Sequence, residues 1–337
     1  MGLGDLIGLA AASALWVVNV QRDASPEYVS AVHEVAGGFT SAVASWNAST
    51  PGGSWIAFEL RARIGGRFTR WYEMGQWSAA LEGGHRGSVA HQSDADGRVD
   101  TDTLNVNRPA DAVQVRAALH AGPHGDEPVL RLIAVSTDRG ESARRNDAAD
   151  VAAWGVDLDV PGLSQRVGAE GGYGGGGDSW CSPASVAMVM RYWSRRMHRP
   201  QWMVDVPTAA QGTYDPVYDG CGNWPFNIAF ASERGLHGWV RRFDGLADIE
   251  RLIARGVPVI ASIRVLPGEL DGAPYPKTDG HLLVVRGFTA MGDVVCNDPY
   301  GEPGAIRRVY RRDQFERVWQ DGSHGAVYLI APPAVTL

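Results

Sequence analysis

Between residues 50 and 140 hydrophobic and polar positions tend to alternate with a period of two. In residues 56–64, IAFELRARI, one face is apolar and the other largely charged, the pattern of a half-buried strand. The alternation returns in residues 113–119, VQVRAAL, and more weakly in 129–135, VLRLIAV. Clusters of turn formers (STPGGS, RIGGRF, LEGGHRG, DADGR, HAGPHGDEP) separate these runs. Short strands punctuated by Gly, Pro and Asp predict an all-β, antiparallel sandwich. A helical pattern is missing from this half except at the extreme N-terminus.

Residues 139–150, RGESARRNDAAD, are charged and small with no periodicity, which predicts a linker and divides the chain into domains at 1–145 and 151–337. Beyond residue 180 the period lengthens. Val186, Val189, Met190 and Trp193 recur at helical spacing, predicting an amphipathic helix over 181–195 with Cys181 in its first turn. Pro183 suits that turn, whose N–H groups have no intrahelical partner. Further helices are predicted over 224–234, ended by Gly235, and over 246–255, ended by Gly256. Apolar, β-branched runs follow at 257–265, 281–288, 293–298 and 326–332. Helices first and strands after them describe an α+β domain.

A chain of 337 residues accommodates two such domains. A net charge of −7 with no cluster of Lys or Arg argues against a nucleic-acid partner. The apolar run at residues 6–18 is too short and interrupted for a membrane span, and Asp5 with no preceding Lys or Arg makes it a poor export signal. The three cysteines, Cys181, Cys221 and Cys296, are scattered and form no CxxC, so neither a disulfide framework nor a zinc site is expected. A single bridge between Cys221 and Cys296 stays open, with nothing in the sequence in its favour.

Cys181, in DSWCSPASVAMVMRYW, is the residue whose placement suggests chemistry, because a thiol at a helix N-terminus has a lowered pKa. A thiol nucleophile needs a base and a group that orients the base. His281 opens the strand HLLVVRGF, and Asp298 ends the next strand, DVVCNDPYG. The tight turn Ala290-Met291-Gly292-Asp293 makes the two antiparallel, which brings His281 and Asp298 to the same end of a hairpin. Asn297 competes with Asp298, but period-two alternation sends the neighbours to opposite faces and favours Asp298. Gln165 can supply a side-chain N–H to an oxyanion, with the Cys181 backbone N–H as second donor. Cys296 reads as a packing residue and Cys221 as part of a loop, DGCGNW, beside the cleft. The Gly-rich run 171–177 lacks the Gly-Lys-Ser/Thr of a phosphate loop and reads as a flexible flap next to the thiol.

In their order, VPGLSQ, WCSPASVAMVMRYW, GNWPFNIAFA, DGHLLVVRGF and NDPYG resemble the C39-like cysteine peptidases of bacteria, a branch of the papain-like fold. The resemblance covers about residues 157–333. It implies an α+β papain-like peptidase domain, with Cys181 as nucleophile, His281 as base, Asp298 as its orienting group and Gln165 in the oxyanion hole. The implied reaction is hydrolysis of a peptide or peptidoglycan-stem amide, without cofactor or metal, outside the cell. The β half resembles the sandwich that precedes this domain in some actinobacterial relatives, a less specific match. Trp46, Trp55, Trp71 and Trp77 there suggest a glycan-stacking surface. Two alternatives remain: an acyltransferase using the same thiol, as in the related phytochelatin synthases, and a catalytically silent binding protein on the same fold.

Overall fold

The computed structural model describes residues 13–20, 25–140, 148–167 and 172–337. The first nine strands are β1 (Ser13–Asn19), β2 (Glu27–Val29), β3 (His33–Ser49), β4 (Trp55–Ile64), β5 (Arg67–Phe68), β6 (Tyr72–Trp77), β7 (Gly97–Asp100), β8 (Thr103–His120) and β9 (Val129–Asp138). They form one connected antiparallel sheet in the order β1-β9-β3-β8-β4-β5, with β2 and β7 on β8 and β6 on β4. β3 and β8, of 17 and 18 residues, are far longer than an ordinary strand. Register shifts between Glu34 and Ser41 break the β3–β8 ladder, with Gly37 and Gly38 at φ of 80° and 74°. Bulges of this kind bend a strand and let it face two sets of neighbours.

The end of the apolar run at 6–18 is strand rather than helix, pairing from Ser13 opposite Asp138 to Asn19 opposite Leu132. Residues 1–12, where a helix or export signal was sought, lie outside the described residues, as do 141–147 of the linker. The tryptophans form no common surface. Trp46 and Trp77 are buried, Trp46 stacking on Phe58 at 3.8 Å between ring centroids. Trp55 is sandwiched between His85 and His120, and Trp71 lies under the guanidinium groups of Arg61 and Arg116. The glycan platform is therefore not assembled, because its members went to the core and to separate stacks.

The second half contains α1 (Cys181–Met197), α2 (Val206–Thr213), α3 (Trp224–Glu233), β10 (His237–Arg242), α4 (Leu246–Ala254), β11 (Val259–Val265), β12 (Thr278–Phe288), β13 (Val294–Asn297), β14 (Arg307–Tyr310), α5 (Arg312–Ser323) and β15 (Ala326–Ala331). Its six strands form an antiparallel sheet in the order β10-β15-β11-β12-β13-β14. α1 packs against β12 and α5 against β11. α1 is buried from Ser182 to Met190, and His198 closes it in the left-handed conformation. Trp193 Nε1–H donates to the Ile330 carbonyl (2.8 Å), and Ser185 Oγ–H to the Leu282 carbonyl (3.0 Å), which fixes the helix against the strand carrying His281. None of the described helices is long and apolar enough to cross a membrane.

The two halves share one continuous hydrophobic core. α3 lies on β3, where Phe226 meets Trp46 and Trp77 edge-on. Glu233 accepts from Thr50 N–H, Thr50 Oγ–H and Trp77 Nε1–H. Buried Asn47 acts as a short strand of its own: its Nδ2 donates to the Gly238 carbonyl (2.6 Å), and its Oδ1 accepts from the Gly238 N–H (3.0 Å). Removing that amide strands two buried backbone groups. Asn47→Ala should therefore lower the unfolding free energy by about 2–4 kcal/mol, read from the shift in a denaturant midpoint at unchanged slope.

Candidate active site

Cys181 is the first residue of α1, and the loop before it is tied down from several sides. Trp180 Nε1–H donates to the Tyr173 carbonyl (3.0 Å), and the Gly176 N–H to the Gly172 carbonyl (2.7 Å). Gly174 runs so close to Asp219 and Gly220 that a Cβ would collide with their backbone, and Gly177 approaches Gln165 and Arg166 in the same way. Gly174 and Gly177 thus serve close backbone packing, where a flexible flap was expected; Gly171 lies outside the described residues. The thiol opens into a cavity of about 850 Å³ between the two halves of the chain.

His281 and Asp298 are placed by the β12–β13 ladder. Val284 lies opposite Asn297, so the next step sets Asp298 across from Leu283, on the same face as His281. His281 Nε2 is 2.8 Å from Asp298 Oδ1, which leaves Nδ1 as the ring nitrogen for the Cys181 thiol, whose pKa the imidazole lowers. Asp298 is fully buried, and every acceptor position is used. Oδ1 also receives the Tyr300 N–H (3.1 Å), and Oδ2 receives the hydroxyls of Tyr275 (3.0 Å) and Tyr310 (2.7 Å). Tyr275 meets the imidazole edge to face at 4.9 Å. Asn297 turns the other way, donating to the Val160 carbonyl (2.9 Å) and accepting from Arg286.

The electrostatics follow from this chain of contacts. Burial alone would push the Cys181 thiol up, but the hydrogen bond and charge of His281, with backbone hydrogen bonds at Leu282 and Ser182, bring it below its ordinary value. Burial likewise disfavours the imidazolium, and the Asp298 carboxylate, with its hydrogen bond, overcomes that and raises His281 well above its usual range. Asp298 is held low against burial by His281, Tyr310 and the Tyr300 N–H. Burial and the same carboxylate keep both tyrosine hydroxyls protonated, so they act as donors. Each group thus favours the charged form of its neighbour, which shifts the pair toward thiolate and imidazolium.

Gln165 is buried beside this group, yet both its N–H bonds point elsewhere, to the carbonyls of Gly177 (2.9 Å) and Asp178 (2.8 Å). Flipping the amide would set Oε1 against those two carbonyls, so the network fixes its orientation. Its Oε1 is buried without a partner among the described residues. Gln165 therefore braces the loop ahead of Cys181, and an oxyanion gains its N–H only when one of those carbonyls releases it. The Cys181 N–H, at the start of the helix, has no intrahelical partner. All three cysteines are free, so Cys221 and Cys296 form no bridge. Cys296 is buried within β13, and Cys221 lines the cavity rim with its Sγ on the Tyr173 and Ala210 carbonyls. Tyr275, Tyr300 and Tyr310 were not identified from the sequence. They sit in loops and on a short edge strand with no periodicity, and only the fold brings them to Asp298.

A model described as the Peptidase C39 N-terminal domain matches residues 23–138, and one described as the Peptidase_C39 like family matches residues 157–327. No curated protein matches the chain. A crystal structure described as that of a C39-like peptidase from Bacillus anthracis aligns with 52% of this chain and 96% of its own, at 16% identity and a TM-score of 0.37. The structure of infectious bursal disease virus Gt strain aligns with 38% of this chain and 34% of its own, at 11% identity and a TM-score of 0.20. At these scores neither structural likeness carries an argument.

The three thiols differ enough to be separated by labelling. Burial pushes Cys221 up to about 12 and Cys296 well above the ordinary 9.0, whereas Cys181 falls below it. Iodoacetamide should alkylate Cys181 first, its rate rising with pH through a midpoint below 9.0. In His281→Ala burial is no longer opposed by the imidazolium, so that midpoint should move upward. Mass spectrometry of the three cysteine peptides after brief labelling across pH reads both effects.

Proposed function

The chain belongs to the Peptidase_C39 like family, and from that membership we propose that it is a cysteine peptidase hydrolysing peptide amides through Cys181, His281 and Asp298. The reading takes residues 151–337 as a papain-like α+β peptidase domain and 1–145 as a β-sandwich domain that walls its cleft. What supports it is the buried His281–Asp298 hydrogen bond beside the Cys181 thiol, whose pKa the imidazole lowers, with all of it opening into a cavity large enough for a peptide.

The Cys181 thiolate attacks the substrate carbonyl carbon and forms a C–S bond. The oxyanion faces the Cys181 N–H and, once it leaves a loop carbonyl, the Gln165 N–H. His281 gives the proton on Nδ1 to the leaving amine as the C–N bond breaks, and a thioester remains. Neutral His281 then takes a proton from water, whose oxygen displaces the thiolate and releases the carboxylic acid. Asp298 keeps its charge throughout, fixing the ring orientation and the site of the proton.

Fluorogenic peptide hydrolysis tests the reading. Cys181→Ser should abolish turnover. His281→Ala should lower kcat/KM by about 100- to 10,000-fold, the usual share of acid–base catalysis. Gln165→Ala should lower kcat by about 100- to 1,000-fold if the amide reaches the oxyanion, and should also destabilise the loop. Adding amine or thiol acceptors diverts product only if acyl transfer competes with hydrolysis. A folded protein that labels rapidly at Cys181 yet cuts no peptide across a broad library would overturn the peptidase reading.

A further inference from the structure

The cavity does not stop at the thiol. Its lining also takes in residues of the N-terminal sheet and Arg242, the last residue of β10. Arg242 is only 7% exposed, and its contacts leave the guanidinium incomplete. Nε donates over 3.4 Å to the Ser323 carbonyl, and the charge sits 5.8 Å from the Trp224 ring. Nη1 is buried with no hydrogen-bond partner, and Arg242 forms no ion pair among the described residues. A buried cation with an unused donor is costly unless something completes it.

The neighbouring acids do not complete it. Both oxygens of Asp102 are occupied, by the Trp224 N–H and the Thr103 hydroxyl, and burial pushes this carboxyl up to about 6. Asp138 lies against His324, with Oδ2 at 3.1 Å from Nδ1. Burial lowers the Arg242 pKa, and the fields of Asp138 and Asp102 only partly offset that without a direct contact. The same cavity is lined by Ser262, whose hydroxyl can donate to an anion. The link to the thiol is short. Arg242 holds the Ser323 carbonyl, the Ser323 hydroxyl donates to the Ser262 carbonyl (2.6 Å), and the adjacent Ile263 pairs directly with His281 across the ladder.

We infer that Arg242 is a specificity-determining residue, and that the β10 side of the cleft takes a carboxylate of the peptide substrate, from an Asp or Glu side chain or a free C-terminus. The inference rests on the reading of the cavity as a peptide-binding cleft. The opposing fields of Asp102 and Asp138 mean that selectivity comes from directed N–H bonds to the carboxylate rather than from net charge. It also gives the N-terminal sheet a part in choosing substrates, since Thr103, Asn105 and Asp138 belong to it.

The test measures binding to the Cys181→Ser protein, so that turnover plays no part, and hydrolysis by the wild-type chain. Alanine-based peptides carry a single Glu moved along the frame, each paired with its Gln counterpart, and a second series compares free C-terminal acids with amides. Calorimetry should show at least about tenfold tighter binding of the carboxylate at one or two adjacent positions, as expected for a charge-assisted pair. The added substitution Arg242→Gln should erase that preference, and Arg242→Lys should keep part of it. In turnover, Arg242→Gln should raise KM for the acidic peptide relative to its neutral Gln counterpart. A flat Glu-to-Gln ratio at every position with no preference for a free C-terminus, or a preference that survives in folded Arg242→Gln, overturns the inference. Peptides cut without carboxylate preference defeat it while leaving the peptidase reading intact. Carboxylate-dependent binding with no cleavage does the reverse. Absence of any peptide binding removes both.

Discussion

A buried negative charge organises the second half of this chain. Asp298 is inaccessible to water, and it keeps its charge because four donors converge on it: the His281 ring, the Tyr300 N–H and two tyrosine hydroxyls. A carboxylate in that position with any of them missing would carry a substantial desolvation cost. The donors come from β12, from β14 and from the loops before β12 and after β13, so satisfying one carboxylate aligns all four segments. His281 is held charged against its own burial by that carboxylate, and the Cys181 thiolate is in turn held by His281. The line runs one way, from the interior of the sheet to the cleft.

The rest of the architecture positions the other end of that line. α1 is pinned to β12 by Ser185 and to β15 by Ser182 and Trp193, so the thiol and the imidazole move together. The loop before Cys181 is braced by Gln165 and packed glycine-close on the 219–220 turn. The N-terminal sheet is part of the same construction: it shares the core, hydrogen-bonds to α3 and β10, and supplies one wall of the cavity. The cavity wall on that side is therefore built from residues far from the thiol in sequence.

Much of this was legible in the chain before it folded. Val186, Val189, Met190 and Trp193 mark α1 by their helical spacing, although the helix proves buried on all sides from Ser182 to Met190 and not amphipathic there. The parity of β13 separates Asp298 from Asn297, because alternation is a property of the extended backbone itself. β3 was missed for a physical reason: from Ser41 to Ala48 every residue is buried, with α3 and β10 packed on the strand, so no polar face alternates with the apolar one. α5, RDQFERVWQDGS, hides its apolar stripe among charges, and β10 contains a glycine that lets the Leu329 backbone approach. The tyrosines on Asp298 and the incomplete guanidinium of Arg242 are tertiary facts with no local periodicity to announce them. Gln165 was located by its place ahead of Cys181, but its grip on the loop carbonyls was not foreseeable from sequence order.

The central claim is that a charged His281 draws the Cys181 thiol below its ordinary ionisation range. The ultraviolet absorbance of the thiolate, taken as the difference between the wild-type protein and Cys181→Ser across pH, measures this directly. The account predicts a thiolate signal titrating below the ordinary thiol value of 9.0 and moving upward in His281→Ala. A Cys181 signal that appears only above 9.0, or one indifferent to the loss of His281, would contradict it.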